Sequence, residues 1–179
     1  MQTKTLAPIE IDIKAVGDDG AFSGYASVFN EVDLGSDSVQ PGAFRKSLEV
    51  KSAARVKMLR DHNQSEPIGI WTEIIEDAKG LKVSGKLILE TVKGRETHAL
   101  MKAGALDSMS IGYRAKQHRI DREKGVRLLD EIELHEISVV TFPMLPSATV
   151  SSVKHYEQDT LRDIAASLNA AVATMKDSK

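Results

Sequence analysis

The stretch Leu81-Lys82-Val83-Ser84-Gly85-Lys86-Leu87-Ile88-Leu89 alternates without a break, with Leu81, Val83, Gly85, Leu87 and Leu89 on one side. A period of two is the mark of a strand with one buried face. Upstream, across the turn Asp77-Ala78-Lys79-Gly80, Pro67 to Glu76 forms a second β-rich run, Ile68-Gly69-Ile70-Trp71-Thr72-Glu73-Ile74-Ile75. Before that, Val56 to His62 predicts a third strand, with Val56, Met58, Arg60 and His62 sharing a face and a turn over Asn63-Gln64-Ser65-Glu66-Pro67. Successive strands with short, turn-rich connections predict a meander.

Moving outward, Ile9, Ile11 and Ile13 alternate in an N-terminal strand. The turn Gly17-Asp18-Asp19-Gly20 leads to a second strand over Ala21 to Phe29, with Gly24 as the expected bulge. Asn30 to Gln40 is a polar loop. It could bind calcium through its carboxylates but lacks EF-hand spacing, so it reads as a surface loop. Pro41-Gly42-Ala43-Phe44 opens a short helix to about Val50, with Phe44 and Leu48 at i, i+4. Thr91 to Ala103 predicts a second helix, stopped at Gly104. Gly104 to about Gln117 is again a strand, followed by a charged hairpin tip over 118–125 and a long strand over Val126 to Phe142 that ends before Pro143. Leu161, Ile164, Ala165, Leu168, Ala171, Val172 and Met175 make the stripe of a last helix. Six to eight short strands with two or three helices predict a mainly β protein with some α: an antiparallel barrel or sandwich with helices packed around it.

At 179 residues, one domain is expected over 1–153, with an appendage at 154–179. The apolar fraction of 41% suffices for one core, and with 4% aromatics that core must be largely aliphatic. The formal charge of −2 gives no basic footprint for nucleic acid or membrane. No transmembrane run and no apolar N-terminal signal segment occur, and the expectation is a soluble intracellular protein. Cysteine is absent, so disulfides, thiolate catalysis and cysteine-based zinc sites are excluded together.

Without cysteine, a hydrolytic nucleophile must be Ser or Thr, with a base beside it and a third group to orient that base. Ser108-Met109-Ser110-Ile111-Gly112-Tyr113 puts Ser108, Ser110 and Gly112 on one strand face and Met109, Ile111 and Tyr113 on the other, toward a core. A solvent-facing pair of serines is an ordinary explanation, and a nucleophile is the other. Of the five histidines, His98, His118 and His155 fall on exposed segments, leaving His62 and His135 as candidate bases. Glu136 shares a regular strand face with Leu134, Ser138, Val140 and Phe142. A buried carboxylate among apolar neighbours needs a partner, so the readings are a basic side chain, simple exposure at an edge, or a catalytic imidazole. On that regular strand, His135 points the opposite way. No histidine pair has metal-ligand spacing and no glycine-rich phosphate loop is found, so neither metal nor cofactor is expected.

Three segments, read together, resemble the prohead (capsid maturation) proteases of HK97-like tailed phages. They are Phe22-Ser23-Gly24-Tyr25-Ala26-Ser27-Val28-Phe29 with Pro41-Gly42-Ala43-Phe44; Asp61-His62 running to Pro67-Ile68-Gly69; and Ser108-Met109-Ser110-Ile111-Gly112-Tyr113 with Glu136-Ile137-Ser138-Val139-Val140-Thr141-Phe142-Pro143. The resemblance spans about Ile9 to Val150. It implies an antiparallel β-barrel surrounded by helices, like that of the herpesvirus assembly proteases, and a serine endopeptidase. Such an enzyme acts inside the procapsid, in the host or bacterial cytoplasm, on the major capsid protein or a scaffold, and also on itself. Carried over by residue, it implies Ser110 as nucleophile, His62 as general base and Glu136 as the third member. Ser108 remains an auxiliary or alternative nucleophile. A homodimer is implied by the same likeness, and the C-terminal tail becomes a candidate for self-cleavage. No arginine follows Glu136, which leaves the oxyanion donor open between a backbone N–H and a water held by Arg114. Two other readings compete: a non-enzymatic capsid or scaffold component that binds through its C-terminal helix, and a small-molecule barrel, which the scarcity of aromatics disfavours.

Overall fold

The computed structural model describes residues 16–151. The expected N-terminal strand and the C-terminal helix and tail lie outside them. The described chain runs β1 (Ala21–Val28), β2 (Asp37–Val39), α1 (Arg45–Val50), a single 3₁₀ turn (Ala53–Arg55), β3 (Lys57–Arg60), β4 (Asn63–Glu76), β5 (Gly80–Leu87), α2 (Val92–Lys102), β6 (Ser108–Asp121), β7 (Val126–Val140) and β8 (Val150–Ser151).

The meander read from Leu81 outward is present. β3, β4, β5 and β1 pair antiparallel in that order, and β6 and β7 form a long antiparallel hairpin. On β5, Leu81, Val83, Gly85 and Leu87 are buried while Lys82 and Lys86 are exposed, so its alternation survives intact. The sheet as a whole is mixed, which corrects the all-antiparallel expectation. β7 pairs parallel with β2 near its start and with β3 near its end. The eight strands curl into a half-barrel in the order β2-β7-β3-β4-β5-β1-β8, with β6 on the other edge of β7. Among the described residues only α1 and α2 are α-helices, fewer than a surround of helices needs.

Between its two parallel partners, the edge of β7 is covered by the α1 segment. Ile132 N–H donates to Ala43 C=O (3.0 Å) and Leu134 N–H to Ser47 Oγ (2.9 Å), while Lys51 Nζ donates to Leu134 C=O (3.0 Å). Backbone groups without a strand partner thereby keep their hydrogen bonds.

The two outer strands, β1 and β6, are bridged at one end by the segment entering β8. Met109 N–H donates to Ala148 C=O (2.8 Å), Val150 N–H to Asp107 C=O (2.9 Å) and Tyr25 N–H to Thr149 C=O (3.1 Å). Gly24 lies under this crossing, where a Cβ would fall 2.2 Å from Thr149 O and 2.7 Å from Met109 Cε. Its role is therefore close approach. The bulge expected at Gly24 falls instead at Ala26, where the β1–β5 register shifts between Tyr25 and Ser27.

Phe22, Phe44, Met58, Ile68, Trp71, Leu81, Leu87, Met109, Leu129, Ile132, Leu134 and Ile137 fill the core. Phe22 and Trp71 meet edge-to-face at 5.5 Å. On α2, Thr91 caps the N-terminus by accepting the Gly94 N–H (3.0 Å). The helix buries Gly94, Thr97 and Met101 rather than a face through Val92, which is exposed.

Candidate functional site

Three elements converge at one end of β7. β6 lies along one edge, with Ser108 opposite Val140, Ser110 opposite Ser138 and Gly112 opposite Glu136. β3 lies along the other edge. The tight turn joining β3 to β4 is folded onto the end of β7: Asp61 N–H donates to Val139 C=O (3.1 Å), Thr141 N–H to Asp61 Oδ1 (3.2 Å) and His62 N–H to Ser138 Oγ (3.1 Å).

This turn is the first departure from the expected local structure. The chain reverses at Asp61-His62, with Arg60 paired to Asn63, and not over Asn63–Pro67. Both turn residues are left-handed, with φ of 46° and 59°, as a two-residue hairpin matched to strand twist requires. Asp and His tolerate that region better than most side chains. His62 is thus presented from a hairpin tip, not from a strand face.

The second departure is a bulge. Gly112 opposes Glu136 but Tyr113 opposes Leu134, leaving His135 as the extra residue. Leu134 and Ile137 both enter the core, and His135 and Glu136 both lie outside it between them. The face expected for Glu136 is therefore wrong in part. Leu134 is fully buried on the other side, and Phe142 is 88% exposed beyond the strand. The neighbours that remain on the Glu136 face are Ser138 and Val140. His135 is exposed and takes no part in the hydrogen bonds around Glu136.

The Glu136 carboxylate is held at both oxygens. Oε1 lies 2.6 Å from His62 Nδ1, and Oε2 accepts from Ser138 Oγ at 2.7 Å. An ionised carboxylate can only accept, so Nδ1 carries the proton and, in the neutral ring, Nε2 keeps its lone pair. Space for the carboxylate comes from Gly112, where a Cβ would sit 2.0 Å from Oε1. The completely buried Ser138 is the member that sequence reasoning passed over. Its hydroxyl accepts from the His62 backbone and donates to Glu136, tying two of the three candidate residues together. The available signal was its period-two spacing from Glu136.

The two serines are both buried, contrary to the solvent-facing alternative, yet they differ in their bonds. Ser108 is 7% exposed and its hydroxyl donates to Asp107 Oδ1 (2.7 Å). Ser110 is 5% exposed and its hydroxyl makes no hydrogen bond among the described residues. Ser110 is also two register positions nearer to Glu136, as its diagonal neighbour. Such neighbours are about 7–8 Å apart at Cα. An imidazole with a hydrogen bond at each nitrogen spans a similar distance, about 7–8 Å. Arg114 is exposed further along β6. His98 Nε2 lies 2.9 Å from Gly17 O and His118 is exposed on β6, away from the site.

Beside Ser110, where β1 and β6 are not bridged, the sheet leaves a cavity of about 130 Å³. It is lined by Ala26 to Val28 of β1, Met109 to Ile111 and Tyr113 of β6, the loop carrying Glu31, Asp33 and Gly35, and Met144 and Leu145. Asp37, also in the lining, is engaged by Arg127 through both carboxylate oxygens and accepts from Tyr113 OH (2.8 Å). Arg127 chiefly holds the Asp37 carboxyl below its ordinary range, and burial together with Asp37 raises the Tyr113 phenol well above its own.

Residues 9–162 match the sequence profile described as caudovirus prohead serine protease. The prohead protease of Enterobacteria phage HK97 is 35% identical over 178 residues, covering 97% of this chain and 79% of that protein. A capsid polyprotein of Pseudomonas phage PAJU2 is 31% identical over 157 residues, which are 83% of this chain and 22% of the polyprotein. Among solved structures, the bacteriophage T4 capsid assembly protease aligns with a TM-score of 0.56 at 13% identity, over 69% of this chain and 82% of that one, a likeness of fold.

Proposed function

Since this chain belongs to the caudovirus prohead serine protease family, we propose that it is a serine endopeptidase that processes the major capsid protein or a scaffold inside the procapsid, in the host cytoplasm, and also cleaves itself. The observation that carries this reading is the His62–Glu136 hydrogen bond, set two register positions along the β6–β7 pair from Ser110, whose hydroxyl makes no hydrogen bond among the described residues. The capsid as substrate is supported by the occurrence of a similar segment within a capsid polyprotein. Self-cleavage and a homodimeric state belong to the same proposal through the family.

In this reading, Ser110 Oγ bonds to the scissile carbonyl carbon as its proton passes to His62 Nε2. The C–N bond then breaks and His62 returns that proton to the leaving amine. Water attacks the ester, its proton again goes to Nε2, the C–Oγ bond breaks and Ser110 is reprotonated. Glu136 keeps Nδ1 protonated and stabilises the imidazolium. Ser108, held by Asp107, is a neighbour rather than the nucleophile.

Co-expression with the capsid protein, followed by intact mass measurement of both chains, tests this. Ser110→Ala is expected to leave both uncleaved, with a rate loss on the order of 10⁴ to 10⁶. Ser108→Ala is expected to process both. Normal processing by Ser110→Ala would refute the assignment.

A further inference from the structure

The cavity at the β1–β6 seam is shaped and charged for one kind of side chain. Resting on Ser110 as the nucleophile, we propose that it receives the residue flanking the scissile bond and selects lysine or arginine there. Its volume of about 130 Å³ compares with the about 150 Å³ that admits a benzene molecule, so it holds one side chain. Ser110 is itself part of the lining, so whatever fills the cavity is adjacent to the attacked carbonyl.

The walls are of two kinds. Val28, Val39, Met144 and Leu145 give an apolar passage that suits the methylene stem of a long basic residue. Glu31, Asp33 and Asp37 supply three carboxylates. Asp37 is already matched by Arg127. Among the described residues no cation pairs with the other two. Asp33 Oδ1 accepts only the backbone N–H groups of Gly35 (2.8 Å) and Asp37 (2.9 Å), and Glu31 accepts from the Ser147 hydroxyl. These bonds fix the carboxylates in place and leave their charge uncompensated. An ammonium or guanidinium compensates it. A carboxylate would be repelled, and an uncharged chain gains nothing beyond contact with the walls. Leu34 and Met144, joined by a backbone bond (Leu34 N–H to Met144 C=O, 2.9 Å) and largely exposed, extend the apolar surface beside this cavity to meet the rest of the peptide.

The test uses three activated peptidyl phosphonates that differ only in the side chain next to phosphorus: lysine, its uncharged analogue norleucine, and glutamate. Each phosphonylates a serine nucleophile with loss of its aryloxide, and labelling is followed on the full-length protein by intact mass. The lysine probe is expected to label Ser110 roughly tenfold or more faster than norleucine, with glutamate slowest. In Glu31→Gln/Asp33→Asn, which keeps the oxygen acceptors and removes the charge, the lysine-to-norleucine rate ratio is expected to fall toward one. Norleucine or glutamate labelling as fast as lysine, or a ratio unchanged in the double variant, overturns the pocket while leaving Ser110 as nucleophile. Labelling by none of the three removes Ser110 as nucleophile and the pocket with it.

Discussion

Gly112 shows how a single missing methyl group shapes the site. Its φ is not in the left-handed region; what matters is that Glu136 occupies the space of its absent Cβ. Alanine there would place Cβ 2.0 Å from Oε1, and the carboxylate, at the end of a flexible side chain, would swing aside rather than unfold the strand. Gly112→Ala is therefore expected to melt near the wild-type temperature while kcat on the capsid protein falls about 100-fold, as displacement of an orienting group by about 1 Å can cost. A variant that loses stability but keeps kcat would contradict this. The sequence carried the candidates Ser110, His62 and Glu136 through their resemblance to a family. It did not carry the reason for the glycine, because a steric clash between β6 and β7 depends on register. Ser138 was passed over for a related reason: a buried serine two places from Glu136 reads as ordinary strand polarity until its two hydrogen bonds are seen.

At the level of elements, the strands were legible wherever one face is wholly buried, as on β5, because alternation is then enforced by the core. Two kinds of feature were hidden. The bulge at His135 breaks alternation on β7, and a regular reading then misplaces the Leu134 side chain relative to Glu136. β2, three residues long within a polar loop, is set by its pairing with β7 and by the Asp37–Arg127 ion pair, neither of which is local. The Asn63–Pro67 segment has the composition of a turn, yet it begins β4. Pro67 sits beside a register shift, where a missing N–H is tolerated. The hairpin tip at Asp61-His62 also separates structure from chemistry. Asparagine accepts the left-handed backbone at least as well as histidine, so His62→Asn is expected to match the wild-type melting temperature and to lose processing by a factor on the order of 10⁴. His62→Val should in addition lose about 1–2 kcal/mol of stability from backbone strain. Urea unfolding of both variants, beside the processing assay, checks the pair of outcomes.

For the whole molecule, the charge network at Asp37 sets an acid limit. Its carboxyl is held below the usual range, first by the hydrogen bonds from Arg127. A carboxyl whose folded pKa is depressed adds stability above its unfolded value, about 3.9, and loses it as pH falls through the folded one. The urea midpoint of the wild type is expected to drop as pH goes below about 4, and Asp37→Asn should start lower at neutral pH with a shallower acid decline. Equal acid slopes would assign the decline to other carboxylates. The mixed topology also belongs to this scale. Local turn signals announce hairpins, while the parallel pairs of β7 and the bridge at Ala148–Val150 join segments far apart in the chain. That bridge gives the molecule an order in time. Gly24 and Val150 meet across 126 positions of the chain, whereas β6 and β7 are joined by a short turn. Closing the long loop is entropically slow to be rewarded and comes late. Met109, beside the serine and already paired with Val139, gains its hydrogen bond to Ala148 only then. During refolding from urea, fluorescence of the sole tryptophan, Trp71, buried in the meander, is expected to recover before proteolytic activity. Coincident recovery would place closure earlier. A chain still being made would then pass through a collapsed but unarmed state, and would become capable of cutting only after the Ala148–Val150 segment had docked.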